Sequence, residues 1–319
     1  MAIRNLTMLK FLAHERIFEI LLDAELIRKE SSHYLSKLHS FLFVRLLVFN
    51  ISPYRGGSLG QVLQLCPSLT AIHIVYAKGL TDSELLSILS LKNLVRFQLH
   101  YHCCEDDEEE DFEITFIGGV VPLLKEFGNS LRVLDIICFA IVDIWTILKF
   151  CPNLTSLFFN NHCDSFTALS ESELTLFRNE QERFILKNLV KLDCAGHTIS
   201  AEILHFLWSF PLLEDIYITH CDILTDEFLQ NAVKCQKFNN LMRLSIRHCD
   251  FVTKHGIDSF MTHHNRIEEI SIDFCQNVMP RNAYDWHLRA KRENWKLNVH
   301  FKNSQTEIYY RSHDLPTNR

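Results

Sequence analysis

The sequence predicts an α/β leucine-rich-repeat solenoid of about nine repeats, with a curved parallel sheet inside and helices outside. Three observations carry this. The line Leu241-Met242-Arg243-Leu244-Ser245-Ile246-Arg247-His248-Cys249 has apolar residues at its first, fourth and sixth places and a cysteine at its ninth. It recurs as Leu213, Ile216, Ile218, Cys221 and as Ile267, Ile270, Ile272, Cys275, a period of roughly 26–28 residues that lies in the leucine-rich-repeat range. After the ninth place comes a helix start, as in Cys221-Asp222-Ile223-Leu224-Thr225-Asp226 and Cys249-Asp250-Phe251-Val252-Thr253, where Thr or Asp can accept from the free N–H groups of a first turn.

In chain order, residues 1–42 precede the repeats. Leu9, Phe11, Leu12, Ile17, Phe18, Ile20, Leu21 and Leu22 fit one helical face, with Glu15, Glu19, Arg28 and Lys29 opposite. Two readings of this stretch stand: a helical cap over the open end of the stack, or an adaptor-binding segment. Repeats begin near Phe43 and restart at Leu69, Leu94, Leu131, Leu154, Leu189, Leu213, Leu241 and Ile267. Alternation along each line sends the first, fourth and sixth places inward. Ala77, His102, Phe139, His162, His197, Cys221, Cys249 and Cys275 fill the ninth place, where a cysteine is small, apolar enough to bury and still a weak donor. Helices are expected over Glu84–Leu89, Ile144–Phe150, Ile203–Trp208, Phe228–Val233 and Ile257–Met261, with Pro67, Pro152 and Pro211 ending helices before the next strand. Two repeats carry insertions, the acidic run Glu105–Asp111 and the Ser/Glu-rich stretch Asp164–Arg183. Trp295, Leu297, Val299 and Phe301 alternate as a closing strand, so the repeat domain spans 43–302 and 303–319 read as a polar tail.

Composition narrows the function. Apolar content is 47%, charged content 22% and net charge −7, which suits a globular protein and gives no basic face for nucleic acid. Val133–Cys151 is apolar, but Asp135, Asp143 and Lys149 interrupt it, so it reads as strand plus helix rather than a membrane span. The 11 cysteines are odd in number and fall mostly one per repeat. Together with the lack of a secretory signal pattern, this leads us to expect reduced thiols in a cytoplasmic or nuclear protein. Dinucleotide, phosphate-loop, nucleophile-elbow and His-Glu-x-x-His motifs are missing. No catalytic residue, cofactor or metal is expected. His220-Cys221 and His248-Cys249 could suggest zinc, but neighbouring residues of an extended chain point oppositely and no Cys-x-x-Cys accompanies them.

The stretches Cys66-Pro67-Ser68-Leu69, Cys151-Pro152-Asn153-Leu154, Ile216–Asp226, Leu241–Thr253 and Ile267–Cys275 resemble the cysteine-containing repeats of the F-box/LRR and antagonist-of-mitotic-exit-like proteins. The resemblance covers roughly 43–301. It implies a substrate receptor of an SCF-type cullin-RING ubiquitin ligase: repeats that hold a protein substrate, and an N-terminal F-box that holds a Skp-type adaptor and cullin. An F-box usually opens with Leu-Pro, and residues 1–42 contain no proline. The alternative is a repeat scaffold or regulatory binding protein with no ligase link.

The outward places of each line form the candidate partner-binding face. They are Arg96, Lys191 and Arg243 at the third place, Phe158 and Tyr217 at the fifth, and Val75, His100, Ile137, Asn160 and Arg247 at the seventh, with Tyr76 and Tyr101 at the rim. Aromatic anchors amid mixed charge fit the centre of a protein interface.

Overall fold

The structure, a computed structural model, describes residues 2–3, 19–23, 46–51, 58–76, 80–101, 114–139, 142–161, 181–195, 199–235, 238–261 and 266–312. The acidic run Glu105–Asp111 and most of the second insertion lie outside them. The chain divides into two compact units, residues 1–163 with 169–186 and residues 164–168 with 187–319.

Among the described residues of the first unit seven strands follow one another: β1 (Ala2–Ile3), β2 (Glu19–Asp23), β3 (Leu46–Ile51), β4 (Ala71–Tyr76), β5 (Arg96–Tyr101), β6 (Val133–Phe139) and β7 (Ser156–Asn161). Each pairs with the next in parallel, and Leu47, Ile72, Phe97, Leu134 and Leu157 stand opposite one another. The helices between them are α1 (Ser58–Leu65), α2 (Asp82–Leu85, continued as a 3-10 turn over Leu86–Ser90), α3 (Val121–Phe127, entered through a π turn at Phe116–Val120) and α4 (Ile144–Phe150). The second unit repeats the scheme with β8 (Lys191–Ala195), β9 (Asp215–Thr219), β10 (Arg243–Arg247), β11 (Glu269–Asp273) and β12 (Asn298–Lys302), and with α5 (Ala201–Leu207), α6 (Asp226–Lys234), α7 (Lys254–Asp258) and α8 (Pro280–Arg292). Its strands are again parallel and in register, so Leu192, Ile216, Leu244, Ile270 and Val299 align. A parallel strand every repeat demands a crossover connection, which the helix provides.

The fourth and sixth places of the described lines are the core. Ile72, Ile74, Phe97, Leu99, Ile216, Ile218, Leu244, Ile246, Ile270 and Ile272 are all buried. The ninth-place Phe139, Cys221, Cys249 and Cys275 are buried too; Ala77, His102, His162 and His197 lie outside the described residues. Cys249 Sγ donates to the Arg247 carbonyl at 3.4 Å and Cys275 Sγ to the Ile246 carbonyl at 3.7 Å, so the thiol occupies a carbonyl at the point where the chain turns. Thr81, Asp143, Thr225 and Thr253 start helices where the Thr/Asp signal put them, each accepting from a first-turn N–H, and Ser200 caps α5 in the same way without that signal. At Met279 the backbone N–H donates instead to Asn282 Oδ1, at 2.8 Å.

Consecutive helix starts are also tied together. Asp226, first residue of α6, accepts from the Thr253 N–H at 2.8 Å and the Thr253 hydroxyl at 2.6 Å. Asp82, first residue of α2, accepts from the Thr115 N–H at 2.7 Å and hydroxyl at 2.8 Å. In both cases the third residue after the threonine is glycine, and a Cβ on Gly256 or Gly118 would overlap the aspartate of the preceding repeat.

Two expectations at the ends need correction. Within residues 1–42, Ala2–Ile3 and Glu19–Asp23 are parallel strands that lead into β3, not part of a helix; the remainder of that stretch lies outside the described residues. A short apolar run such as Ile20-Leu21-Leu22 suits a strand as well as a helix. At the other end the polar tail contains β13 (Glu307–Tyr310), antiparallel to β12. Asn303 makes the hairpin: its side chain accepts from the N–H groups of Gln305 and Thr306 at 2.9 and 2.7 Å, an Asx-type turn.

Candidate functional site

In the first unit the register brings Val75, His100, Ile137 and Asn160 into one row and His73, Gln98, Asp135 and Phe158 into the next. Helices cover the opposite side of these strands, so both rows lie on the open sheet face. Val75, Ile137, Phe158 and Asn160 are half-buried there, and Arg96 is exposed beside them. The side chains of Tyr76 and Tyr101, which end β4 and β5, lie outside the described ones. At the centre of the rows is a polar line. Asp135 Oδ2 accepts from Gln98 Nε2 at 2.9 Å and lies 2.9 Å from His100 Nε2; His100 Nδ1 is 3.1 Å from His73 Nε2. Asp135 keeps only 7% of its surface, because these neighbours lie over it. Burial, followed by the nearby His100, pushes the His73 pKa down, and Asp135 opposes that shift.

The open face of the second unit is arranged around Asp215, which is fully buried. Arg243 Nη2 donates to its Oδ2 at 2.8 Å while Arg243 Nε lies 2.7 Å from Oδ1 as an ion pair, and Lys191 Nζ lies 3.5 Å from Oδ2. The forked guanidinium is the side chain suited to a bidentate carboxylate. Arg243 therefore has its pKa raised, first by this hydrogen bond. Tyr217, half-buried in the next row, is raised first by burial and then by Asp215.

Alternation alone offered Lys191, Arg243 and His100 to a partner; the structure commits them to Asp215 and Asp135. It leaves Arg96 and Arg247 exposed, with the Arg247 guanidinium 5.5 Å from the Phe274 ring centre.

A ring stack was not anticipated. His220, His248 and Phe274 hold the eighth place of three consecutive lines, each with φ in the left-handed region at 52°, 50° and 53°. Their rings stack at 4.4 Å between His220 and His248 and 5.0 Å between His248 and Phe274. The signal was present in the sequence: a planar side chain immediately precedes each of the three ninth-place cysteines. At the hairpin, His300 Nδ1 lies 2.9 Å from Ser271 Oγ and 3.2 Å from Asp273, and Lys302 pairs with Glu307 at 2.8 Å.

These groups hydrogen-bond, stack and pair charges. Among the described residues no three His, Cys, Asp or Glu side chains are grouped to hold a metal. Burial pushes the thiols of Cys66 and Cys151 up to about 12 and those of Cys221 and Cys275 up to about 11, far from a nucleophile's range. No described helix is long and apolar enough to cross a membrane.

No protein-family model matches the chain, and no curated protein matches it in sequence. Among solved structures, a chain of the yeast Rad7–Elc1 complex is similar with a TM-score of 0.56 and 13% identity, over 96% of this chain and 82% of that one. The fold is that of a leucine-rich-repeat solenoid. At this identity the likeness carries the fold alone, and the repeat assignment rests equally on the in-register parallel strands and the recurring helix starts described above.

Proposed function

We propose that the chain is a non-enzymatic recognition protein of the cytoplasm or nucleus that holds a protein partner on the open faces of its parallel strands. The observation that carries this is the mixed face of the first unit. Phe158, Ile137 and Val75 stand half-buried beside exposed Arg96 on a rigid sheet, the combination of apolar centre and polar surround that protein interfaces use. The finer reading is a substrate receptor of an SCF-type cullin-RING ligase, working by position and not by chemistry. Its support is the repeat resemblance. The similar yeast structure was itself solved as a complex of two proteins. One observation favours the second reading, a repeat scaffold without a ligase link: Ala2–Ile3 and Glu19–Asp23 continue the parallel strands in the stretch where the ligase reading would need an adaptor-binding segment.

Affinity purification of the full chain from its native cells, beside a Phe158→Ala variant and a Tyr217→Ala variant that fold normally, tests both. Skp-type adaptor and cullin with the wild-type chain support the ligase reading. Partners that are lost with either variant, without adaptor or cullin, support the scaffold. Partners retained at wild-type level by both variants overturn the use of these faces.

A further inference from the structure

The line of His73, His100 and Asp135 crosses three strands, β4, β5 and β6. Its hydrogens can be counted. The Asp135 carboxylate accepts from Gln98, and its Oδ2 lies 2.9 Å from His100 Nε2 but off the line of a ring N–H; a bare nitrogen there would set its lone pair beside the carboxylate charge, so the neutral pair keeps its outer hydrogen on Nε2. The 3.1 Å gap between His100 Nδ1 and His73 Nε2 holds one hydrogen. With none, two lone pairs would face each other; with two, the hydrogens would collide. The charge of the pair is then set at a single atom, His73 Nδ1. If that atom is bare, the pair is neutral. If it is protonated, the pair carries one positive charge, whichever nitrogen holds the hydrogen in the gap.

We propose that His73, His100 and Asp135 form a one-proton switch on the open face of the first unit, which turns His73 Nδ1 from a hydrogen-bond acceptor at neutral pH into a donor in acid. As an acceptor it suits an amide or hydroxyl of a partner, and as a donor a carboxylate or carbonyl. That consequence for recognition rests on the function proposed above; the switch itself does not. The ring centres are 4.5 Å apart, so a second positive charge would have to break the bond and face the first. The β3 residues opposite β4 are Leu46, Leu47, Val48, Phe49, Asn50 and Ile51, none of them titratable. On β5 the charged neighbours are Arg96 and His100, and on β6 Asp135. Among the described residues, and apart from the pair itself, only Asp135 draws a proton to it, while burial resists charging.

The test is a histidine ¹⁵N NMR titration of the full free chain from pH 8 to the onset of acid unfolding, with signals assigned from His73→Gln and His100→Gln variants. The expected result is uptake of one proton by the pair, with the His73 signals moving at a midpoint below the ordinary value of 6.5. Linked shifts should appear at His100 Nδ1 and His73 Nε2. In Asp135→Asn the midpoint should fall further, since the favourable charge is gone. Two separate one-proton titrations, one for each ring, would overturn the switch, as would a midpoint untouched by Asp135→Asn in a folded variant. If Asp135→Asn does not fold, the wild-type proton count decides alone. Because the free protein is titrated, a negative result leaves the recognition proposal standing, and failure to capture a partner leaves the switch standing.

Discussion

Replacing Gly256 with alanine separates two views of α7. Helix propensity alone says that Gly→Ala at a helical position stabilises by about 1 kcal/mol. The structure says the reverse. A Cβ on Gly256 would overlap Asp226 Oδ1 and sit 2.9 Å from Leu229 Cδ1 and 3.1 Å from Asp226 Cα. Two of those contacts involve side-chain atoms, but the third is backbone, so turning the side chain away does not fully relieve the crowding. When Asp226 turns away it also gives up the Thr253 N–H and hydroxyl, at 2.8 and 2.6 Å. Hydrogen bonds to a charged acceptor contribute about 1.5–3 kcal/mol each when water does not replace them. The region is half-buried, so water recovers part of that. The net expectation is a loss of about 1–3 kcal/mol. Urea denaturation should report it, with hydrogen exchange at the Thr253 amide as a local reading, since opening in repeat proteins can be confined to one region. In an Asp226→Ala background the same glycine substitution should cost less, because the overlapping carboxylate is absent, leaving a coupling of about 1–2 kcal/mol. A Gly256→Ala variant more stable than wild type, or two substitutions whose costs simply add, would refute the tie between repeats.

Other consequences can be checked on the same protein. Leu244→Ala removes a core side chain that is 1% exposed and should cost about 2–5 kcal/mol in denaturation, whereas Ser245→Ala on the open face should stay within roughly 0.5 kcal/mol; equal costs would contradict the inward and outward assignment. Arg243→Ala leaves the Asp215 carboxylate buried with Lys191 as its remaining cation and should destabilise on the order of 3 kcal/mol, while Lys191→Ala, its ammonium half in water, should cost under about 1 kcal/mol. Among the described cysteines Cys235 is exposed and the other six are buried, so iodoacetamide at pH 8 followed by peptide mass analysis should mark Cys235 and spare Cys66, Cys151, Cys194, Cys221, Cys249 and Cys275 until the chain unfolds. His73, whose folded pKa is depressed, disfavours protons in the native state; its contribution to stability is complete above the unfolded value near 6.5 and is lost as pH falls through the folded value. Thermal midpoints between pH 7.5 and 5 should therefore fall less in His73→Gln than in wild type.

The repeating core was legible because two periodicities reinforce each other. In a line such as Leu241–Cys249, alternation marks a strand and the Thr twelve places on from Leu241 marks a helix start; the same pair of signals recurs at Leu69 with Thr81 and at Leu213 with Thr225. Each copy validates the others, so even the insertion before Thr115 did not obscure the next strand. The ends lacked that redundancy. Glu19-Ile20-Leu21-Leu22-Asp23 has no cysteine and no following Thr-Asp signal, and a short apolar run does not by itself distinguish strand from helix. Glu307–Tyr310 became a strand through an asparagine turn and an antiparallel partner, a connection outside the repeat's own pattern.

The open face was legible as a face but not as a set of side chains. Alternation assigns direction: Asp135 stands at the fifth place of its line and Asp215 at the third place of its own, so both leave the core side. What alternation omits is the neighbour one strand away. In parallel register each side chain on this face has a counterpart from the repeats before and after it, and a long cation beside a short carboxylate closes over it. Asp215 has Lys191 on one side and Arg243 on the other, so it is buried by its own row. Asp135 is covered in the same way by Gln98 and His100. A row read across repeats contains this information, because a lone acid flanked by cations at the same place is a pair waiting to form. Two described residues whose row offers no complement are Arg96, beside Ala71 and Val133, and Phe158, beside Asp135. Complementarity between rows, more than exposure of single residues, therefore marks where this surface is already satisfied and where it is open.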